Sequence, residues 1–300
     1  MNQKKSNRAV VDGWVVLDKP VGMTSTQAVS RLKRIYNARK AGHAGTLDPL
    51  ASGILPVAFG EATKTVPFVQ DGEKSYRFTV RWGAETDTDD SDGEVMETCT
   101  ARPEESAIEA LLQRFTGEIL QVPPRFSAIK IAGERAYDLA REGETVELQP
   151  RSVRIHRLAI IEHLGDETKL QMDCGKGAYV RAIARDVGRL LGCFGHVSEL
   201  RRTRVGPFAE DDAFAFEEIE AEGGAGDALL PVEAGLAELP CVVVDRDGAA
   251  RLRRGGSLIL RGRDAPIGGI VYAACAGTPI AFGEVVEGAL EPSRVFNMPF

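Results

Sequence analysis

The sequence predicts an α+β protein in which a large domain with a mixed, mainly antiparallel sheet precedes a small C-terminal β-barrel. Segments with strand and helix periodicity interleave up to about residue 239, and strands outnumber helices. Short β-rich segments then follow Pro240 on either side of a Gly-rich stretch. A length of 300 residues suits one large domain and one small domain.

The first elements alternate between strand and helix. Residues 14–18 predict a short strand that leads into a turn. Thr24 is followed three residues later by Gln27, which predicts the capped start of a helix. Residues 54–60 predict a buried strand, and Lys74–Trp82 alternates between apolar and polar positions as a half-buried strand does.

The middle of the chain is less regular. Pro103 opens a helix that Gly117 ends, but residues 123–130 cannot form regular helix. Residues 134–142 predict a short helix, and residues 153–162 pair with 168–174 as two strands.

The predicted elements after this strand pair lead up to the domain boundary. Residues 179–181 are interpreted as the end of a strand, and a helical stripe then continues to Gly192. Residues 210–227 are polar and predict a loop, and the domain boundary is expected near residues 239–240.

Composition excludes several classes of protein. No apolar run reaches the roughly 18 residues that span a bilayer. The N-terminal lysines lack a following apolar segment, so we expect a flexible tail over residues 1–10 and a cytoplasmic location. The five cysteines contain no CxxC pair and the four histidines no HxxxH pair, so we expect neither a disulfide framework nor a metal site.

One loop carries the strongest functional signal. Residues 42–53 read GHAGTLDPLASG, which is too rich in Gly and Pro for a helix or a central strand. Pro49 moves the backbone of Asp48 toward extended geometry, so a carboxylate lies on a rigid loop five residues after His43. By spacing alone, such a segment is typical of a surface turn.

This loop resembles the catalytic loop of the TruB family of tRNA pseudouridine-55 synthases, in its bacterial form. Four further motifs resemble the family in the family's order, which extends the resemblance over nearly the whole chain. They are DKPVGMTS at residues 18–25, KSYR at 74–77, GKGAYVR at 175–181 and HVSELRRT at 196–203. The family pattern SKGTYIR has hydroxyls where this chain has Gly175 and Ala178, so those hydroxyls cannot be essential if the function holds.

The resemblance implies both architecture and partners. Residues 11–239 would form the pseudouridine synthase domain, with a thumb insertion over about 121–148 that closes on RNA. Residues 240–300 would form a PUA-like RNA-binding domain. The implied substrate is the T-arm stem-loop of tRNA, without an obligate protein partner, a metal or a membrane.

The resemblance also assigns residues. Asp48 would be the catalytic carboxylate, Arg181 its ionic partner, and Tyr76 would stack on the target base and serve in proton transfer. His43 would fill the place of the flipped uridine. Further substrate-binding residues are Tyr179, Leu200, Lys19 and Lys64.

The chemistry requires no cofactor, because pseudouridine formation breaks the N-glycosidic bond, turns the base and rejoins it through C5. No redox step and no external group is needed. Asp48 could attack the base, attack the sugar or abstract a proton, and the sequence does not decide among these roles.

Charge is segregated along a chain whose net charge is −7. Residues 1–48 carry nine basic and three acidic side chains, and residues 171–206 carry seven and three. A basic face for RNA can therefore exist on an acidic protein. The acidic segments 85–118 and 209–240 are expected to be solvated charge runs.

Two other functions stay open at this point. One is an RNA-binding or RNA-folding protein without chemistry, which an intact set of Asp48, Tyr76 and Arg181 disfavours. The other is the guide-RNA-dependent relative of archaea and eukaryotes, whose catalytic loop is similar. The insertion at residues 123–143 matches the stand-alone bacterial type instead.

Overall fold

A computed structural model describes residues 8–127, 130, 131, 134, 135, 148–221, 223, 226–262 and 265–299. Within these residues the chain alternates strands with short helices. The strands are β1 (Gly13–Lys19), β2 (Ala41–His43), β3 (Ser52–Phe59), β4 (Lys74–Trp82), β5 (Ala84–Thr86), β6 (Val95–Thr98), β7 (Gly117–Gln121), β8 (Lys130–Ile131), β9 (Glu134–Arg135), β10 (Arg151–His163), β11 (Glu167–Cys174), β12 (Gly195–Val205), β13 (Phe208–Ala209), β14 (Cys241–Val243), β15 (Leu258–Ile259), β16 (Gly269–Cys275), β17 (Thr278–Val286) and β18 (Ala289–Val295).

Helices connect these strands along the chain. The α-helices are α1 (Ser25–Ile35), α2 (Val66–Asp71), α3 (Glu105–Leu112), α4 (Val180–Leu191), α5 (Phe216–Ala221) and α6 (Arg246–Arg253). Single 3-10 turns occupy Gly60–Lys64, Gln113–Phe115, Glu210–Asp212 and Val232–Leu236. None of the helices in these ranges is both long and apolar enough to cross a membrane.

The main sheet confirms the predicted mixed, mainly antiparallel architecture. Its strand order is β1-β3-β12-β4-β11-β10-β7, with β2 added to β3 and β13 added to β12. Among the described strand pairs of this sheet, only β3–β12 is parallel, and it joins the start of β3 to the middle of β12. The largest apolar core lies between this sheet and the helices α1, α3 and α4.

Local sequence signals explain the first helix and the central strand. Thr24 accepts a hydrogen bond from the backbone of Gln27, whose side chain accepts one in return, so the predicted capping box is confirmed. In β4 the alternating face of Phe78, Val80 and Trp82 is buried, as period-2 patterning requires.

Several sequence predictions are wrong in type. Residues 179–181 are not a strand end, because Tyr179 is the N-cap of α4 and Arg181 lies in its first turn. The predicted helix over 134–142 instead begins as strand β9, and its remainder lies outside the described residues. The predicted loop over 210–227 contains the short helix α5.

The C-terminal sheet is a curled half-barrel, whereas the sequence predicted a small β-barrel. Its order is β14-β16-β17-β18-β15, so β14 and β15 are its edges within the described residues. It has its own apolar core, which α6 completes. Phe282 of β17 and Phe296, which follows β18, extend the core of the main domain, so the two parts pack against each other.

Gly53 fixes the exit of the loop at residues 44–51 into β3. It has φ +97° and pairs with Arg202 across the parallel strands. A Cβ at this position would lie 2.2 Å from the carbonyl oxygen of Arg202. The close approach of β3 and β12 therefore requires a glycine here.

We expect Gly53→Ala to lower the free energy of unfolding by roughly 1–3 kcal/mol or more, since it combines backbone strain with a clash. Gly42→Ala is the matched control, because a Cβ there meets no atom within 4 Å. Urea denaturation of both variants measures the difference. Equal stability of the two variants would contradict the packing described for Gly53.

Candidate active site

The loop that carries Asp48 is held by backbone and side-chain hydrogen bonds at both ends. Ser25 at the start of α1 bonds the backbone NH and CO of Leu47, each at 2.9 Å. Gly22 donates to the carbonyl of Pro49 at 2.8 Å. The Asp48 side chain is 36% exposed, so the carboxylate stands at the surface of a cleft while its backbone is fixed.

Arg181, in the first turn of α4, forms an ion pair with this carboxylate. Its Nε lies 3.0 Å from Asp48 Oδ2 and 3.5 Å from Asp90 Oδ2. Its two terminal nitrogens donate to the carbonyls of Thr88 and Phe126 at 2.8 and 2.9 Å. The Arg181 side chain is only 5% exposed, so the pairing of Asp48 with Arg181 that the resemblance implied has the geometry of an ion pair on a buried cation, each of whose three nitrogens has a partner.

Asp48 faces a cleft of about 450 Å³. Tyr76, Tyr179 and Leu200, which the resemblance assigned to substrate binding, all line it. Burial raises the pKa of Tyr76 to about 12 and also raises the pKa of Tyr179. Both phenols therefore stay protonated near neutral pH, where they offer aromatic faces and hydroxyl groups but not a phenolate base.

Arg202 holds the loop to the sheet, and sequence reasoning assigned it no role. Its guanidinium donates to the carbonyls of Ile54, Thr46 and Gly45 at 2.8, 3.2 and 3.1 Å. It also donates to the hydroxyl of Tyr76. The sequence does contain a signal for this position. Arg202 lies two residues after Leu200, so both side chains lie on the same, inward face of a strand.

The arginines of α4 form a row along one helix face, which we call the arginine row: Arg181, Arg185 and Arg189. Arg185 donates to Asp89 at 3.0 Å and to the carbonyl of Val122 at 2.8 Å. Arg189 binds both oxygens of Glu85 at 2.5 and 2.7 Å. Residues four apart lie on one face of a helix.

Three of the acids that bind the arginine row come from residues 85–118, the segment expected to be a solvated charge run. That expectation is wrong for three residues, since Glu85, Asp89 and Asp90 are all buried. Burial raises the pKa of Asp89 to about 6, although Arg185 beside it favours the anion. Burial also raises the pKa of Asp90, against the opposing effects of Thr88 and Arg181.

The two lysines expected to bind substrate, Lys19 and Lys64, lie in different environments. Lys19 is fully buried, and its ammonium donates to the carbonyls of Pro20 and Met23 at 2.8 Å each. Burial lowers the pKa of Lys19 to about 8, and the nearby Asp48 opposes this effect. Lys19 thus stabilises the turn beside the cleft, so its expected direct contact with substrate stays a prediction.

Lys64 does not line the cleft at all. It lies after β3, where it binds Glu61 at 2.7 Å and the carbonyl of Val295 at 2.8 Å. His43 is the last residue of β2, half-buried and paired through its backbone with Val57. Its imidazole belongs to the same loop region as Asp48 but does not line the cleft itself.

Comparison with known proteins supports a consistent assignment. The model of the "TruB family pseudouridylate synthase (N terminal domain)" matches residues 33–180, and that of the "tRNA pseudouridylate synthase B C-terminal domain" matches 181–237. A tRNA pseudouridine synthase B of Bradyrhizobium diazoefficiens is 59% identical over 99% of this chain and 89% of its own. Its counterpart in Rhodopseudomonas palustris is 60% identical over 96% and 81%.

A solved structure shares the fold. The chain matched in a Cbf5–Nop10–Gar1 complex superposes with a TM-score of 0.75 at 27% identity, over 97% of this chain and 86% of that one. The continuous match to the two family models places the protein among the pseudouridylate synthases. Within that class, the chain belongs to the TruB family.

We expect Asp89 to lower the stability of the fold as pH rises. Its pKa of about 6 lies above the unfolded value of 3.8, so the folded state binds more protons between these values. The contribution of Asp89 is therefore fully present below about pH 4 and lost as pH rises through about 6. Wild-type stability should fall relative to Asp89→Asn across this window, by on the order of 3 kcal/mol.

The measurement is urea unfolding of both proteins from pH 4 to 7. Asp211→Asn is the control, because Asp211 is exposed and should leave the pH profile unchanged. A stability difference between wild type and Asp89→Asn that stays constant with pH would refute the raised pKa.

Proposed function

We propose that this protein isomerises uridine to pseudouridine in tRNA, at position 55 of the T-arm. The observation that carries the proposal is the ion pair of Asp48 and Arg181 at 3.0 Å, on a cleft that Tyr76 and Tyr179 line, in a chain of the TruB family. The relatives at 59% and 60% identity are named tRNA pseudouridine synthase B, which supports tRNA as the substrate.

The reaction rearranges one nucleoside without adding or removing atoms, so its requirements are positional and electrostatic. The N1–C1′ bond breaks, the base turns within the pocket, a C5–C1′ bond forms, and C5 loses its proton while N1 gains one. An ionised carboxylate serves each route open to Asp48, whether it attacks the base, attacks the sugar or takes a proton.

Arg181 keeps that carboxylate oriented and charged. A carboxylate loses hydration when a base fills the cleft, and desolvation disfavours the anion. The guanidinium 3.0 Å away offsets this loss. Because Arg181 is also bonded to two backbone carbonyls, its position does not depend on the substrate, and the pair is preorganised for the reaction.

The aromatic and apolar residues of the cleft would hold the detached base. Tyr76 offers a ring beside Asp48, with its hydroxyl fixed by Arg202, while Tyr179 and Leu200 supply further walls. Uridine must leave its stack to arrive there, at a cost of a few kcal/mol. We assign His43 to stacking in the vacated place, which recovers part of that cost.

The domain assignment follows from the same proposal. Residues 11–239 would be the catalytic domain, with the thumb over about 121–148, and residues 240–300 a PUA-like RNA-binding domain. One neighbouring structure is described as an H/ACA RNP bound to a substrate RNA containing 2′-deoxyuridine, at 26% identity. The far higher identity to proteins named for tRNA favours tRNA over a guide-directed substrate.

We expect Asp48→Asn to abolish turnover while RNA affinity stays within a few-fold of wild type. The amide keeps the size of the side chain but removes its charge, and affinity comes mainly from phosphate contacts. Tritium release from an unmodified T-arm stem-loop labelled at uracil C5 measures turnover, and filter binding measures affinity. Release by the variant near the wild-type rate would end the assignment of Asp48.

Arg181 variants test the ion pair separately. Arg181→Met leaves the carboxylate of Asp48 without this cation. The cost is about 3–5 kcal/mol for a fully buried pair and less here, because Asp48 is 36% exposed, and most activity should still be lost because the carboxylate is no longer oriented. Arg181→Lys keeps the charge but cannot make all four contacts, and should retain an intermediate rate.

Arg246→Met is the control, because Arg246 is exposed on α6 and does not line the cleft. Single-turnover rates compare the three variants with wild type. If Arg181→Met and Arg246→Met behaved alike, the pair with Asp48 would have no part in the reaction.

A further inference from the structure

Two cysteines of the main domain lie close together, although they are far apart in sequence. Cys99 directly follows β6, and Cys193 follows α4 after Gly192, the C-cap of that helix. Both are free thiols. Neither lines the cleft at Asp48, so the proposed reaction gives them no role.

One glycine joins the two segments that carry these cysteines. The backbone NH of Cys99 donates to the carbonyl of Gly83 at 2.8 Å, and the NH of Gly83 donates to the carbonyl of Cys193 at 3.0 Å. Gly83 connects β4 to β5 and has φ +99°, a conformation that favours glycine. The two cysteines are therefore hydrogen-bonded to the same residue.

Both sulfur atoms contact the last turn of α4. Cys99 Sγ lies 3.6 Å from the carbonyl oxygen of Gly192, and Cys193 Sγ lies 3.9 Å from that of Gly188. Residues four apart are separated by about 6 Å along a helix axis. Cα atoms of disulfide-bonded cysteines are usually about 4.4–6.8 Å apart, so the thiols occupy a region of the size that a disulfide spans.

The environments of the two thiols differ in a way that divides an oxidation between them. Cys193 is 1% exposed, whereas Cys99 is partly exposed and can meet a solute. Burial raises the pKa of Cys193, and the nearby Cys99 thiol adds to this effect. The guanidinium of Arg102 opposes it and also donates to the carbonyl of Cys99 at 3.0 Å. A cation beside a thiol favours the thiolate, which is the reactive form.

We propose that Cys99 and Cys193 form an oxidation site at which a peroxide closes a reversible disulfide. The Cys99 thiolate attacks one oxygen of hydrogen peroxide and the O–O bond breaks. Cys99 becomes a sulfenic acid, and the released hydroxide takes up the proton that Cys99 had lost. The Cys193 sulfur then attacks the Cys99 sulfur, so that an S–S bond forms and the S–O bond breaks. The departing hydroxide takes the Cys193 proton as a second water.

The electrons balance without a further reactant. Each sulfur gives up one electron in the overall reaction, and the peroxide takes up both as it becomes two molecules of water. The site does not depend on the isomerisation proposed above, because neither thiol belongs to the cleft. The disulfide would tie the end of β6 covalently to the end of α4, alongside the bond of Arg185 to Asp89.

The test treats the folded, reduced protein with hydrogen peroxide at a molar ratio near one. Remaining thiols are alkylated, and a tryptic digest without reductant is analysed by mass spectrometry. Wild type is compared with Cys99→Ser, Cys193→Ser and the control Cys241→Ser. Cys241 is an exposed thiol on β14 of the other sheet. Thermal unfolding in the presence of dithiothreitol verifies that each variant is folded.

Wild type and Cys241→Ser should each give a linked pair of peptides that contain Cys99 and Cys193, and dithiothreitol should abolish it. Its rate of formation should rise with pH, because the thiolate is the nucleophile. Cys99→Ser should leave Cys193 reduced, since its thiol is buried. In Cys193→Ser, Cys99 should stop at the sulfenic acid, which dimedone traps. The disulfide should raise the apparent melting temperature by several degrees, because it restricts the unfolded chain.

Three results would overturn the proposal. One is sulfenic acid on Cys99 of wild type without a linked pair, and another is oxidation of Cys193 at the wild-type rate in Cys99→Ser. The third is a linked pair whose formation lowers the apparent melting temperature, since the bond would then form only by distorting the fold. Because Cys99 is partly exposed, Cys99→Ser tests the site even where Cys193→Ser fails to fold.

Discussion

The structure depends on one interaction, the ion pair by which the buried Arg181 orients the partly exposed carboxylate of Asp48. Arg181 is only 5% exposed, so its charge acts on Asp48 and on the neighbouring Asp90 and not on solvent. To be held there, the guanidinium requires the carbonyls of Thr88 and Phe126. Two segments that are remote from each other in sequence therefore hold the Arg181 side chain in place.

The helix that presents Arg181 extends this constraint through the domain. Spacing of four residues places Arg185 and Arg189 on the same face, where the buried acids Asp89 and Glu85 bind them. Such pairs contribute less to stability than their number suggests, because desolvation offsets much of the attraction. Their effect is to fix where α4 begins relative to residues 85–90, and so where Arg181 reaches Asp48.

Strand periodicity and capping were readable from the sequence because they depend on neighbours in the chain, as at Thr24 and in β4. The cleft residues Tyr76, Tyr179 and Leu200 came from the family resemblance and not from pattern. The features that the sequence did not predict depend on tertiary contacts. Tyr179 has the local propensity of a strand but caps a helix, and the buried state of Asp89 follows from Arg185, 96 positions away.

The contacts of Arg202 bear on whether the protein or the RNA rearranges during recognition. Because it ties the carbonyls of Gly45, Thr46 and Ile54 to the interior of the sheet, the loop of Asp48 loses its conformational entropy when the chain folds, not when substrate arrives. The protein side of the encounter is then already in place. The rearrangement needed to bring a nucleoside to the carboxylate falls on the RNA, whose own local stability becomes a determinant of which uridine is reached.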